Sequence, residues 1–464
     1  MGGRLKVVPT IFILVAFSFS LPRVSASSGY VDVTVSVAEN MINANPLLVI
    51  LDVRTQSEYD SGHIRNAKLI PHTELEARIS ELDEDTGAVV YCRSGGRSAT
   101  ASQILIDHSF TQVYNMLGGI LAWMDEDYPV FVRYASMQQA INNARDGDTI
   151  FVSSGTYLEN LVLTKSLTLT GENKNNTVID GGGTGNVVLV KTVNDTAVSD
   201  FTMRGSGCGC AARSGIHLQN SYNSSVTSNI ITDNGYGIQL SDSDSCTIRC
   251  NIVANNDWLA IALYWSHRNI VTDNDIEEND LGIRLGGSSD NAFIHNNIID
   301  NTAQTDVSGE NANLWDEGYP SGGNYWSDYN GADSNGDSIG DTPYIIDEKN
   351  QDSYPLMNPY ISPEEMRVLY YESLETYSSL LADYNLLNST FHSLQSSYDS
   401  LLSNFRSLNF TYNNITTTYN ELRSKQEAIV NELNNIRSRM YIFVATTVIL
   451  LATTVYFAIR KSES

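Results

Sequence analysis

From Tyr134 to about Asn301 the chain repeats itself, and a repeat restricts the fold more than any local propensity does. Gly215-Ile216, Gly237-Ile238, Ala260-Ile261 and Gly282-Ile283 recur at steps of 22, 23 and 22 residues. Asn229, Asn251, Asn274 and Asn296 keep the same steps, as do Asn234, Asn256, Asn279 and Asn301. Short β-type runs such as Ile230-Ile231 and Ile298-Ile299 fall inside the repeat. One such unit cannot bury its own apolar face, so the pattern implies coils stacked on one another. Stacked Asn at equivalent corners can bond amide to amide and tolerate the left-handed backbone of a tight turn. Val226, Ile248, Val271 and Ile294 are expected to form a buried apolar column. The fold expected over residues 134–360 is a right-handed parallel β-helix.

The entry to this region runs through Ala140-Ile141, Asp146-Gly147-Asp148-Thr149-Ile150, Gly155-Thr156-Tyr157 and Ser166-Leu167-Thr168-Leu169. It resembles the start of the NosD-like, pectin-lyase-like β-helix family. The exit, Gly322 to Tyr329 followed by Gly340-Asp341-Thr342-Pro343-Tyr344 and Tyr354-Pro355-Leu356-Met357, resembles the C-terminal block of archaeal NosD-type surface proteins. The resemblance speaks for fold more than activity, and implies a spacer or a module facing surface glycans. No acidic cluster with a partnered Arg points to polysaccharide cleavage. Asp333, Asn335, Asp337, the Ile339 carbonyl and Asp341 sit at alternate positions, as oxygen ligands do in a calcium loop. The twelfth position lacks Glu and the glycine is misplaced, so a solvated Asp/Gly turn is the other reading.

The two ends bear on location. Arg4 and Lys6 precede an apolar run from Val7 to Leu21 that closes on Val24-Ser25-Ala26, so residues 1–26 read as a signal peptide. Residues 440–459 carry no charge and can cross a bilayer as one helix, with 460–464 as a cytoplasmic tail. Six sequons, at Asn175, Asn194, Asn223, Asn388, Asn409 and Asn414, agree with a glycosylated exterior. The expected location is the cell membrane, single-pass, with the bulk of the chain extracellular. Between 364 and 439 a heptad runs with Tyr377, Tyr384, Phe391 and Tyr398 at a and Leu380, Leu387, Leu394 and Leu401 at d. A coiled-coil stalk and a homo-oligomer follow as expectations. With 28 Lys plus Arg against 54 Asp plus Glu, the net charge of -26 excludes nucleic acid as a partner.

Residues 30–132 read as α/β. Leu48-Val49-Ile50-Leu51 and Ala88-Val89-Val90-Tyr91 are buried-strand runs, the second ending in Cys92. The loop Cys92-Arg93-Ser94-Gly95-Gly96-Arg97-Ser98 leads to a helix expected near Ala99. Open α/β sheets place their sites at such carboxyl ends. A thiol is a nucleophile only as thiolate, which a helix N-terminus, turn amides and guanidinium groups favour. Gly95 and Gly96 would let the backbone curl so that several amides aim at one sulfur. Arg93 and Arg97 suit an oxyanion such as thiosulfate.

These residues, with Asp52-Val53-Arg54, Glu58-Tyr59, Gly62-His63-Ile64, Ala67, Ile70-Pro71, Gly118-Gly119, Trp123 and Pro129-Val130, resemble a single-domain rhodanese. The resemblance implies a persulfide on Cys92, loaded from a sulfane-sulfur donor and passed to a thiol acceptor or cyanide, with no cofactor required. Asn66 stands where that family usually has Gly. Asp52 and Arg54 are expected as a structural ion pair, His63 as a turn histidine and Trp123 as core. Cys208, Cys210, Cys246 and Cys250 all fall in the repeat region, leaving Cys92 unpaired; disulfides, interior packing and copper(I) remain open for those four. Two readings compete: a surface sulfurtransferase, and an adhesive surface protein whose rhodanese-like domain only binds.

Overall fold

The computed structural model describes residues 29–207, 213–309 and 312–462. The expected signal peptide lies outside them, as do Cys208 and Cys210. The chain forms two units, one ending at Glu372 and the other spanning Ser373–Ser464.

The first domain is a five-stranded parallel sheet in the order β1-β5-β4-β2-β3. The strands are β1 (Val31–Val33), β2 (Val49–Asp52), β3 (Lys68–Leu69), β4 (Ala88–Tyr91) and β5 (Val113–Met116). Helices α1 (Val35–Ala44), α2 (Gln56–Asp60), α3 (Leu75–Arg78), α4 (Gly96–Asp107) and α5 (Gly119–Asp125) cover it. Every residue of β4 is buried, as a central strand covered on both faces requires. Helix α2 starts from a capping box in which Thr55 and Glu58 satisfy each other's backbone amides. At the end of β2, Arg54 grips Asp52 (Nη2 to Oδ2 2.6 Å), donates to the Gly62 carbonyl (2.7 Å) and lies over the Tyr91 ring. Both partners are buried, so this pair holds the strand end in place and leaves neither charge for a ligand.

Helix α6 (Met137–Asn143) leads into three all-parallel sheets of eight, seven and seven strands. Each turn of chain supplies one strand to each sheet, so the domain is a parallel β-helix. Gly215-Ile216, Gly237-Ile238, Ala260-Ile261 and Gly282-Ile283 stack in register. The Asn columns are hydrogen-bonded ladders. Asn229 donates to Asn251 (3.1 Å), Asn251 to Asn274 (3.0 Å) and Asn274 to Asn296 (2.9 Å), each side chain also reaching a strand carbonyl. The ladder continues through Asn324 and ends on buried Asp352. The column from Asn234 to Asn301 behaves alike.

Three details differ from the sequence reading. The left-handed residue is the one before each ladder Asn: Ser228, Cys250, Asp273 and His295 have φ of 56° to 58°. The Asn itself is left in a conformation that points its amide along the stack. The apolar column ends on Phe293, which pairs with Val271 and keeps the 22-residue step of the Gly and Asn columns, while Ile294, one residue further on, points to the other side of the strand and is only half-buried. A third ladder, through Asn269, Asn291 and Asn313, went unread although it keeps the 22-residue step.

The two domains of the first unit share a buried polar clasp. Glu172, at the end of the strand Thr168–Gly171, accepts from His63 Nε2 (3.1 Å), the Asn66 amide (2.9 Å), and the Ser154 amide and hydroxyl (2.8 and 2.9 Å). Arg65 donates to its carbonyl and pairs with Asp200. Asn66 has φ of 58°, which turns its amide toward the carboxylate, a conformation Asn tolerates almost as well as Gly. Val132 bridges in parallel to Val152, extending the first coil with chain from the α/β domain.

Residues expected as separate stalk and span form one uninterrupted helix, α7 (Pro363–Ser462). Its C-terminal part is long and apolar enough to cross a membrane, judged by length and composition. The heptad side chains Tyr384, Leu387, Phe391 and Leu394 are exposed along the single chain.

Burial alone would raise the Glu172 pKa, but His63 and the two amides hold it at about 2. A carboxylate depressed on folding stabilises above its unfolded pKa, and that contribution is lost as pH falls from about 4.5 toward 2. The shift corresponds to on the order of 3 kcal/mol. Glu172→Gln should lower the thermal midpoint at pH 7 and flatten its decline in acid, read by thermal unfolding across that range.

Candidate active site

Cys92 follows the last residue of β4 and is buried at the amino end of α4. Gly95, with φ of 101°, is the N-cap, so the helix begins at Gly96, three residues before the expected Ala99. The Gly95 amide donates to the Cys92 sulfur at 3.1 Å, and the Ser98 hydroxyl lies 3.5 Å from it. Burial pushes the thiol pKa up. The Ser98 hydroxyl and the amides of Ser98, Ser94 and Gly95 outweigh that and bring it below the ordinary thiol value. Of the two loop glycines, only Gly95 needs its special conformation; a Cβ on Gly96 would meet nothing within 4 Å.

The loop is held from behind by Gly118-Gly119, both at positive φ. A Cβ on Gly119 would stand 2.4 Å from the Cys92 carbonyl oxygen and 2.7 Å from the Arg93 carbonyl. This close approach lets the first amides of α5 take the loop's carbonyls: Ile120 donates to Cys92 (2.9 Å) and Leu121 to Arg93 (3.2 Å). With those carbonyls drawn backward, the loop's own amides face the sulfur.

The two arginines have different fates. Arg97, expected to grip an oxyanion, closes on Glu58 through two bonds, Nη1 to Oε2 at 2.8 Å and Nη2 to Oε1 at 2.6 Å. The Arg97 guanidinium is the main reason the Glu58 carboxyl is held down to about 2. Arg93 is exposed and has no ion-pair partner among the described residues. Glu58 is thus a site residue that the sequence reading quoted only as part of a motif. Its Thr55-x-x-Glu58 capping spacing was visible, but its partner 39 residues onward was not. His63 bonds Tyr59 and, through its other nitrogen, Glu172 of the β-helix, so it belongs to the clasp and not to the sulfur. Trp123 is buried and donates to the Pro129 carbonyl.

The remaining candidate positions lie beyond the α/β domain. Asp333 accepts from the amides of Gly336, Asp337 and Ser338, Asp337 from Ile339, and Asp341 from Ser334. Asn335 bonds to Asp337 as well. These bonds order the Asp/Gly loop from Asp333 to Asp341. Cys246 is buried, forms no disulfide, and donates to the Ser221 and Asp244 carbonyls at a ladder position; burial pushes its thiol up to about 11. Among the described residues no group of three or more His, Cys, Asp or Glu could hold a metal ion.

The profile of the rhodanese-like domain matches residues 34–126, and that of NosD, a periplasmic copper-binding protein family, matches residues 119–331. A sulfurtransferase of Allochromatium vinosum is 34% identical over 95 residues, which cover 20% of this chain and 88% of that protein. The thiosulfate sulfurtransferase GlpE of Coxiella burnetii is 34% identical over 76 residues, 16% of this chain and 71% of its own. Among solved structures, a rhodanese-related protein from Thermoplasma volcanium is 32% identical and matched over its whole length, covering 22% of this chain with a TM-score of 0.21. The polysulfide-sulfur transferase homodimer from Wolinella succinogenes is 27% identical, covering 24% of this chain and 85% of that one, with a TM-score of 0.22.

If the cradle activates the sulfur, Ser98→Ala should raise the Cys92 pKa and slow its alkylation at pH 7 by roughly three- to tenfold. The rate of iodoacetamide labelling at Cys92, followed against pH, checks this.

Proposed function

This chain belongs to the rhodanese-like family, with a NosD domain following the rhodanese-like one, and on that footing we propose that Cys92 carries sulfane sulfur. The Cys92 thiolate attacks the outer sulfur of a donor. An S–S bond forms at Cys92 while the donor's S–S bond breaks, and the donor leaves with the electron pair as a thiolate or as sulfite. An acceptor thiolate, or cyanide, then attacks the outer sulfur and restores the Cys92 thiolate. The observation that carries this reading is the donor set around the Cys92 sulfur, with the Gly95 amide at 3.1 Å. The same amides suit a persulfide anion, whose outer sulfur stands about 2 Å further out along the loop. The sulfurtransferase relatives of this domain support it.

The reading extends to location. The apolar end of α7 serves as the anchor and residues 1–26 as the export signal, which places the sulfur site outside the cytoplasm. The exposed Tyr/Leu stripe of α7 pairs with other copies, which a shared membrane would hold parallel. Trp258 and Trp265 stand exposed on the β-helix and support a glycan-facing role for that module. Copper is the metal in the NosD family's name; of the four cysteines open to it, Cys208 and Cys210 lie outside the described residues and Cys246 is a buried free thiol. No step is assigned to copper.

Transfer of sulfur to cyanide by the full chain in detergent, with thiosulfate and polysulfide as donors, tests the proposal. Wild type should turn over, and Cys92→Ser should fall to the uncatalysed rate while keeping the wild-type thermal midpoint.

A further inference from the structure

The ion pair between Glu58 and Arg97 bears on which donor the site takes. Arg97 lies near the sulfur, but both terminal nitrogens of its guanidinium are bound to the Glu58 carboxylate at 2.8 and 2.6 Å. Asp52, the next charged group inward, is neutralised by Arg54. Once Cys92 is a thiolate, its charge and that of Glu58 together match the two arginines beside the loop. A dianion approaching the site therefore meets no surplus of positive charge from side chains, only the amides and the start of α4. The chain as a whole, at -26, repels it further.

We infer that Glu58 is a specificity residue: by occupying Arg97 it disfavours the thiosulfate dianion and selects organic hydropersulfides or hydropolysulfides of low charge. This rests on the sulfur-transfer reading of Cys92 and names the donor class for that site. In the loading step the Cys92 thiolate attacks the terminal sulfur of R–S–SH. The new S–S bond forms at Cys92, the donor's own S–S bond breaks, and the terminal proton passes to the leaving thiolate. The products are the Cys92 persulfide anion and R–SH, so atoms and charge balance without an external oxidant.

The test compares kcat/KM for cysteine persulfide and for thiosulfate in wild type and in Glu58→Gln, using the full chain. Gln keeps the capping box at α2, so the helix start is preserved while the charge is removed. The variant should shift the preference toward thiosulfate by about tenfold. An unchanged or opposite ratio overturns the inference. If the variant fails to fold, wild type alone decides through salt: its kcat/KM for thiosulfate should hold or rise from about 20 to 200 mM salt, and a steep fall would show a net cationic site. Should wild type use neither donor, the sulfur-transfer reading fails first and the inference with it.

Discussion

The backbone of Gly119 rests against the carbonyls of Cys92 and Arg93, and the chemistry of the site depends on that contact. No other residue fits there, because a Cβ would overlap both carbonyls. The approach lets α5 draw those carbonyls to itself, which leaves the loop amides facing the sulfur. Two helix N-termini thus act on one short loop: α5 satisfies its carbonyls and α4 begins beneath its sulfur. Burial opposes ionisation of Cys92, and the amides with the Ser98 hydroxyl reverse the balance. By contrast, burial of Cys246 outweighs the one backbone amide that favours its thiolate, that of Ser224, and its pKa moves the other way. Two buried thiols in one chain therefore differ in reactivity through the polarity of the groups that face them.

The α/β domain is built into the β-helix. An open β-helix ends in a coil with unpaired edge groups, which invite association with other chains. Here Val132 adds to that coil, and Glu172 binds groups from both domains. At the far end buried Asp352 closes the longest Asn ladder, accepting from Asn324 and Trp326, and burial raises its pKa to about 6. Each end of the stack thus finishes on a carboxylate that accepts the last backbone amides. At the first of them, the stability of one domain is tied to the surface of the other.

The sequence made the stack legible because one residue type recurs at one step, and a repeat of 22 residues has few solutions. It misplaced Ile294 because Phe293 and Ile294 are both apolar neighbours, and only the 22-residue step kept by the other columns picks Phe293 as the side chain that faces inward. The loop from Cys92 to Ser98 was legible as a local motif, as was the Asp52–Arg54 pair two residues apart. Long-range pairings were not. Glu58 meets Arg97, and His63 meets Glu172 across 109 residues, through folding that no local spacing records.

The central claim is that one sulfur in this chain, that of Cys92, accepts sulfane sulfur because its surroundings favour an anion. The most direct measurement is to expose the folded full-length protein to a sulfane donor, trap persulfides with an alkylating reagent and map them by peptide mass spectrometry. The account predicts one added sulfur, on the peptide carrying Cys92, with Cys246 unmodified. A Cys92 peptide free of added sulfur, or sulfur on Cys246 in its place, would contradict it.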